Sequence, residues 1–217
     1  MLAAATALTL ARRTGSRIAD LAGDQPALLG LGSDPEHGLA DWLDLGTGAP
    51  VEALDRLSSD VGPGLHLLPR GRASDPVLAP VAAAEAGAAL AVALRDGAPT
   101  VADVGTAATP AARALLEVAD HSVVVLRRCY LALRRAVHTP GIRRADGVAV
   151  VEEPGRALEA DEIGDVLGLK VLTHVPWKSS IANAVDAGVL VGRTPEPLSR
   201  AAHALLMALG LVRRRAA

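Results

Sequence analysis

"MLAAATALTLARRTG" (Met1–Gly15) is an apolar run closed by two arginines and a glycine. It has two readings: the apolar core of a secretion signal, or the first helix of a folded domain. A signal needs positive charge ahead of its apolar run. Here Arg12 and Arg13 come after it. The same arginines suit the negative end of a helix, and Gly15 suits its C-terminal cap. The stretch therefore predicts a largely buried helix over residues 2–14. If it is a helix, an element ought to stand in front of it.

The rest of the composition bounds what such a helix can pack into. The chain has 217 residues, a length that fits one α/β domain with a sizeable core. Phenylalanine is absent, and the aromatics are Trp42, Tyr130 and Trp177. The core is therefore built from Ala, Val and Leu, with small side chains packed closely. The formal net charge is -2, so bulk charge gives no pull toward nucleic acid or acidic membranes. Lysine occurs only at positions 170 and 178, an arginine bias that a GC-rich coding sequence explains. Cys129 is the single cysteine, which excludes an intrachain disulfide and a cysteine zinc site and fits a reduced, cytoplasmic protein. No run approaches the ~20 apolar residues of a membrane span, so integral membrane insertion is not expected.

Continuous apolar runs recur along the chain. Strands are predicted at residues 16–20, 64–69, 99–104, 121–126, 147–151 and 170–175. Unbroken apolar runs suit a parallel sheet covered on both faces. Helices are predicted at 38–46, 50–59, 76–94, 110–118, 159–167, 180–187 and 197–212. Thr109 followed by Pro110 reads as an N-cap with proline at the first helical position. Alternating strands and helices argue for a three-layer, doubly wound α/β fold, with a mostly parallel sheet and helices on both faces, as one domain over residues 1–212. Residues 213–217 read as a frayed basic tail. In such folds ligands bind beyond the carboxyl ends of the strands. Those ends lie at 20–25, 103–106, 127–130, 152–156 and 176–180.

The order and wording of these segments resemble the MinD/ParA family of deviant Walker P-loop ATPases, and also its pilus-assembly relatives of the CpaE/TadZ type. The likeness runs over about the whole chain. "LAAATALTLARRTG" is similar to the helix after the family's phosphate loop, and "RIADLAGDQPALLGLG" to the strand that follows and ends in an aspartate. "GLADWL", "PGLHLLPRG", "PTVADVG", "VADHSVVVLRRCYLALRRA" and "VLGLKVLTHVPWKSSIANAVDAGVL" follow in the family's order. The resemblance implies an ATP- and Mg²⁺-dependent dimer switch in positioning, partitioning or pilus assembly. It implies that Asp103 binds the metal through water and that Gly105 is the glycine just beyond it. Asp20 would position the attacking water, with Asp24 a second candidate. Glu153 would stand where relatives read adenine, and Pro176 in the loop that packs near it.

The departures from the family are equally specific. No G-x-x-x-x-G-K-[ST] occurs in the 217 residues, and neither lysine lies in a glycine-rich loop. The family's first strand, central in its sheet, has no counterpart here. Either the reading frame starts too late, or the lineage has lost the site and the sheet has adapted. A degenerate member with weak or no ATP binding is therefore expected. The alternative is a nucleotide-independent scaffold, or a module that binds DNA or a protein partner.

Other features take plainer readings. Asp20, Asp103 and Asp120 each suit local capping of loop N–H groups. The six histidines show no metal-ligand spacing. Arginines 127, 128, 134, 135, 143 and 144 read first as a solvated helix face. The resemblance adds nonspecific DNA contacts by Arg127, Arg128, Arg134 and Arg135, as in ParA relatives. The run Leu205–Arg215 reads as a helix packed on the sheet rather than a membrane helix. A nicotinamide-type Rossmann site is a poor reading, because no G-x-G-x-x-G follows a strand.

Overall fold

The computed structural model describes residues 1–73 and 78–212. The described elements open with α1 (Leu2–Thr14), β1 (Ser16–Asp20), α2 (Gln25–Leu28), α3 (Leu39–Asp44) and α4 (Glu52–Leu57). They continue through β2 (Ser59–Gly62), β3 (Leu65–Leu68), α5 (Pro80–Ala93), β4 (Thr100–Asp103) and α6 (Pro110–Val118). Then come β5 (Val123–Arg127), α7 (Tyr130–Val137), β6 (Gly147–Glu152), α8 (Ala160–Leu167), β7 (Val171–Pro176), α9 (Ser179–Asp186) and α10 (Glu196–Ala208). The predicted α/β class with mostly parallel strands holds.

The chain divides into two compact units. The first takes Met1, residues 3–119 and 184–194; the second takes Leu2, residues 120–183 and those from Pro195 onward. In the first, strands order as β2-β3-β1-β4. β1 pairs in parallel with β3 on one side and β4 on the other. β2 adds an antiparallel edge to β3, with a register shift between Asp60 and Gly62. Sequence reading missed β2, because Ser59-Asp60-Val61-Gly62 has neither an apolar run nor an alternating one. In the second unit, β5-β6-β7 form a parallel sheet.

The opening helix spans the predicted residues. Ala4, Ala5, Ala7 and Leu8 are buried, and the Gly15 N–H donates to Ala11 O at 3.2 Å with φ +76. Ser16 then turns the chain into β1: its hydroxyl is buried and donates to Ala7 O at 2.7 Å. Thr109 caps α6 as expected, its hydroxyl accepting from Ala112 N at 3.1 Å. The predicted helix from Pro76 begins at Pro80 in the structure, and Pro76 itself lies outside the described residues. So does the tail at 213–217.

The first unit's core collects Ala19, Leu39, Trp42, Leu43, Leu68, Ala86, Leu90 and Leu115. α5 and α6 meet there through small residues. At Gly87 an added Cβ would lie 2.2 Å from Ala111 O, so only glycine admits this approach. The second unit's core joins Leu126, Leu133, Val148, Val150, Ile163 and Leu167. α10 packs on β7, with Leu198, Ala201, Ala202, Leu205 and Leu206 buried. The Thr173 hydroxyl donates to Ala201 O at 2.9 Å. The apolar face of this helix is thus occupied within the fold, as read from the sequence.

Overpacking the α5–α6 contact tests this account. Gly87→Ala is expected to lower unfolding free energy by about 1–3 kcal/mol, measured by urea denaturation. Val81→Ala, at an exposed position of the same helix, is expected to stay within about 0.5 kcal/mol.

Candidate functional site

β1 and β4 run side by side in a register that sets Asp20 opposite Asp103 at their carboxyl ends. Asp20 is fully buried. A buried carboxylate must be hydrogen-bonded, and the loop after β1 supplies the donors. Ala22 N (3.0 Å) and Gly23 N (2.7 Å) donate to Oδ1, and Gln25 N (2.9 Å) donates to Oδ2. Gly23 permits the curl, with φ +98. Asp103 is bound from two sides: Gln25 Nε2 donates to Oδ2 at 2.7 Å, and Gly105 N donates to Oδ1 at 3.1 Å. Gly105 sits at φ +58, and Ala107 follows at φ +52, an uncommon conformation for a residue with a Cβ. Asp24 precedes α2 at the N-cap position, exposed and making no side-chain cap bond. The structure therefore brings Asp20, Asp24, Asp103 and Gly105 into the first unit, around two adjacent strand ends.

Gln25 is the residue that sequence reading missed. Its side chain is fully buried and ties the Asp20 loop to Asp103, while its Oε1 has no hydrogen-bond partner. The signal was its place in Asp24-Gln25-Pro26, immediately after a strand-end loop.

Charge is crowded here. Burial pushes the Asp20 carboxyl above its ordinary value. The three backbone N–H groups oppose that shift, and the charge of Asp103 adds to it. The Met1 amino group is pushed below its ordinary value by burial, against the pull of Asp103, Asp24 and Asp20.

The remaining predicted residues lie in the second unit, at the ends of β6 and β7. Glu153 Oε2 accepts from Arg127 Nη2 at 2.7 Å and from Arg156 Nη2 at 2.9 Å. These two guanidinium groups hold its carboxyl below the usual range. Arg127 also lies 5.5 Å from the Trp177 ring centroid, and Trp177 is 52% exposed. Pro176 ends β7 opposite Glu152, and Glu152 Oε1 is 2.6 Å from His174 Nδ1. Arg128 turns inward, bonding Arg156 O and Glu159 Oε1. Arg134 and Arg135 stand exposed in the last turn of α7.

The oxygen donors of Asp20 and Asp103 are of the kind a hydrated divalent cation takes. Each already accepts backbone or amide N–H groups, and among the described residues no group of three or more His, Cys, Asp or Glu is placed to hold a metal. A triphosphate needs converging N–H donors and a lysine. Both lysines, Lys170 and Lys178, belong to the second unit. The residues around Asp20 and Asp103 are acidic and do not fit a triphosphate, so no step is derived through one.

The buried carboxyl gives a pH test. Because the folded value of Asp20 lies above that of the unfolded chain, its ionised form costs stability at neutral pH. The cost disappears as pH falls through the folded value toward about 4. On acidification from pH 7 to 4, the unfolding free energy of wild type is expected to gain relative to Asp20→Asn, measured by urea denaturation. A flat difference, or one moving the other way, would refute the reading.

No protein-family model matches the chain, and no curated protein matches it. Solved structures do. A ParA family ATPase from Chlorobium tepidum superposes with a TM-score of 0.73 at 18% identity, covering 96% of this chain and 90% of that one. MinD in the MinC:MinD cell division complex of Aquifex aeolicus gives 0.70 at 17%, covering 100% and 91%. McdA of Cyanothece, in its ATP complex, gives 0.67 at 16%, covering 98% and 93%. At these identities the likeness is one of fold, and the chain has the α/β fold of the ParA/MinD ATPases.

Proposed function

We propose that this protein acts in intracellular positioning or partitioning, or in pilus assembly, as a MinD/ParA-like protein whose 217 residues bind ATP weakly or not at all. The fold it shares with positioning ATPases supports the first part. The second rests on one observation: Asp20 and Asp103 stand in register at the strand ends, yet are closed onto each other by Gln25 and onto their own loops. In an ATP- and Mg²⁺-binding relative such carboxylates would serve the metal and the attacking water. Here their charge meets no lysine, and they secure the loop instead.

The closed loop also favours a second reading, a scaffold that needs no nucleotide. Its partner would be a protein or DNA. The exposed Arg134 and Arg135 on α7 are the candidates for phosphate contacts; Arg127 is paired with Glu153 and Arg128 with Glu159. Among the described residues no helix is long and apolar enough to cross a membrane.

Calorimetry with Mg²⁺ and ATP separates these readings from an intact ATPase. The expected result is no binding at micromolar nucleotide and no phosphate release. Micromolar affinity that disappears in Asp103→Ala would overturn the proposal. Should DNA be the partner, its binding would weaken steeply with salt and fall in the Arg134→Ala, Arg135→Ala double variant, measured by fluorescence anisotropy.

A further inference from the structure

β1 and β4 carry Asp20 and Asp103 at their carboxyl ends. A second concavity lies near their amino ends, wholly within the first unit. There a groove of about 420 Å³ opens between α4 and the end of α5, a volume in the range of binding clefts. Val51, Leu54 and Ala93 give it an apolar wall, and Val51 is 47% exposed. Val92, in the last turn of α5, is exposed as well, and so is Leu45, beside the 3-10 turn at 46–48 that packs on α5. Glu52, Asp55 and Asp96 line the same groove. All three are exposed, and none makes an ion pair among the described residues. Arg17, the cation of the lining, is already committed. Its Nε donates to Thr100 Oγ1 at 3.1 Å, and its Nη2 donates to Leu94 O at 2.9 Å and to Asp96 O. Arg95, next to Asp96, donates to Val118 O at 2.6 Å. The sequence carries the same bias, since residues 41–60 hold five acids against one base, Arg56.

We infer that this groove docks a basic amphipathic helix of a protein partner. Charge selects the occupant. Three carboxylates against one guanidinium repel phosphate, so the face suits neither nucleic acid nor anionic lipid. It does not suit a metal ion either, because among the described residues no group of three or more His, Cys, Asp or Glu is placed to hold one. Lysine and arginine match the lining in both of its parts. Their aliphatic stems can lie along Val51 and Ala93 while their charged heads reach the carboxylates on either side. Two of the bordering elements are helices, and a helix that presents apolar residues flanked by cations is the shape such a groove takes. The groove stands at the opposite strand ends from Asp20 and Asp103, so docking is independent of nucleotide and its failure would leave the proposed function untouched.

Fluorescence anisotropy of the full chain tests this with three labelled peptides of about 18 residues, long enough to form a helix. One is a leucine/lysine amphipathic helix, the second its leucine/glutamate counterpart, and the third a glycine/lysine peptide without apolar anchors. The leucine/lysine peptide is expected to bind one-to-one at roughly tens of micromolar, as a small interface does, and at least about tenfold more tightly than either control. Raising salt from about 50 to about 300 mM is expected to weaken it at least about threefold. Charge reversal by Glu52→Lys with Asp55→Lys is expected to weaken it at least about tenfold. The same reversal on the exposed face of α8, Asp161→Lys with Asp165→Lys, is expected to change it less than about threefold, which separates the groove from net charge. Circular dichroism verifies folding. Should the groove reversal not fold, Glu52→Gln with Asp55→Asn carries the test, with binding expected to weaken at least about threefold. Hydrogen exchange locates the contact, since amides in residues 52–57 and 94–98 are expected to slow when the leucine/lysine peptide is added. No binding of that peptide at about 100 µM, beyond the weakest specific interfaces, overturns the inference. So does a control peptide that binds as tightly, or a loss as large on α8 as at the groove.

Discussion

The buried carboxylate of Asp20 is the constraint around which the first unit is arranged. A charged group without water must find donors, and those nearest are the amides of the loop that follows it. Once Ala22, Gly23 and Gln25 turn their N–H groups inward, the loop has one shape. That shape buries Gln25 and starts α2. It also sends the glutamine amide across to Asp103, fastening the end of β1 to the end of β4. The ladder between these strands continues to Leu21 N and Asp103 O at 2.8 Å, so side-chain and backbone bonds reinforce one register. The two carboxylates that the resemblance would assign to metal and water chemistry accept the N–H groups that fasten these loops.

Most of the fold could be read from the chain, and what escaped did so for physical reasons. α1 was legible because its apolar run, terminal arginines and glycine cap agree with one another. β6 was legible because a strand buried on both faces must be apolar throughout, and β5 and β7 because each opens on a run of β-branched and leucine residues. β2 was not, since an edge strand paired through backbone alone needs no apolar pattern. α2 was not, since four residues carry no helical period, and its start depends on Asp20 gathering the loop. The strand ends located the candidate site, and Asp20 and Asp103 follow from them. The role of Gln25 does not: a glutamine becomes a bridge only when the two strands it joins lie in register, and register is a tertiary fact. The same holds for Arg127. Its sequence neighbours suggested a basic surface, but pairing with Glu153 and stacking over Trp177 give it a local task.

Electrostatics follows from this arrangement more than from net charge. The mild overall balance of -2 hides a first unit whose strand ends gather three carboxylates and a second whose strand ends gather arginines. In the first, burial and mutual repulsion raise the Asp20 carboxyl. In the second, guanidinium groups lower the Glu153 carboxyl. Two acids of ordinary chemistry thus move in opposite directions, because one is desolvated beside another acid and the other lies at the surface between two cations.

The close approach of Gly87 to Ala111, in a core made of alanine, valine and leucine with no phenylalanine, has a consequence for how the chain tolerates change. Alanine and glycine have no side-chain rotamers to lose on folding, so these positions cost no side-chain entropy, although glycine gives up the most backbone freedom. The core's many buried leucines can still be truncated, but its alanine and glycine positions have nothing left to lose. Mutational drift in most cores is dominated by shrinkage and the voids it leaves. Here drift meets the opposite barrier, since nearly every available substitution at the small positions adds volume. The sequence can therefore wander freely on its surface while its helix contacts hold to the smallest residues, which makes the alanine and glycine positions the most restrictive part of its inheritance.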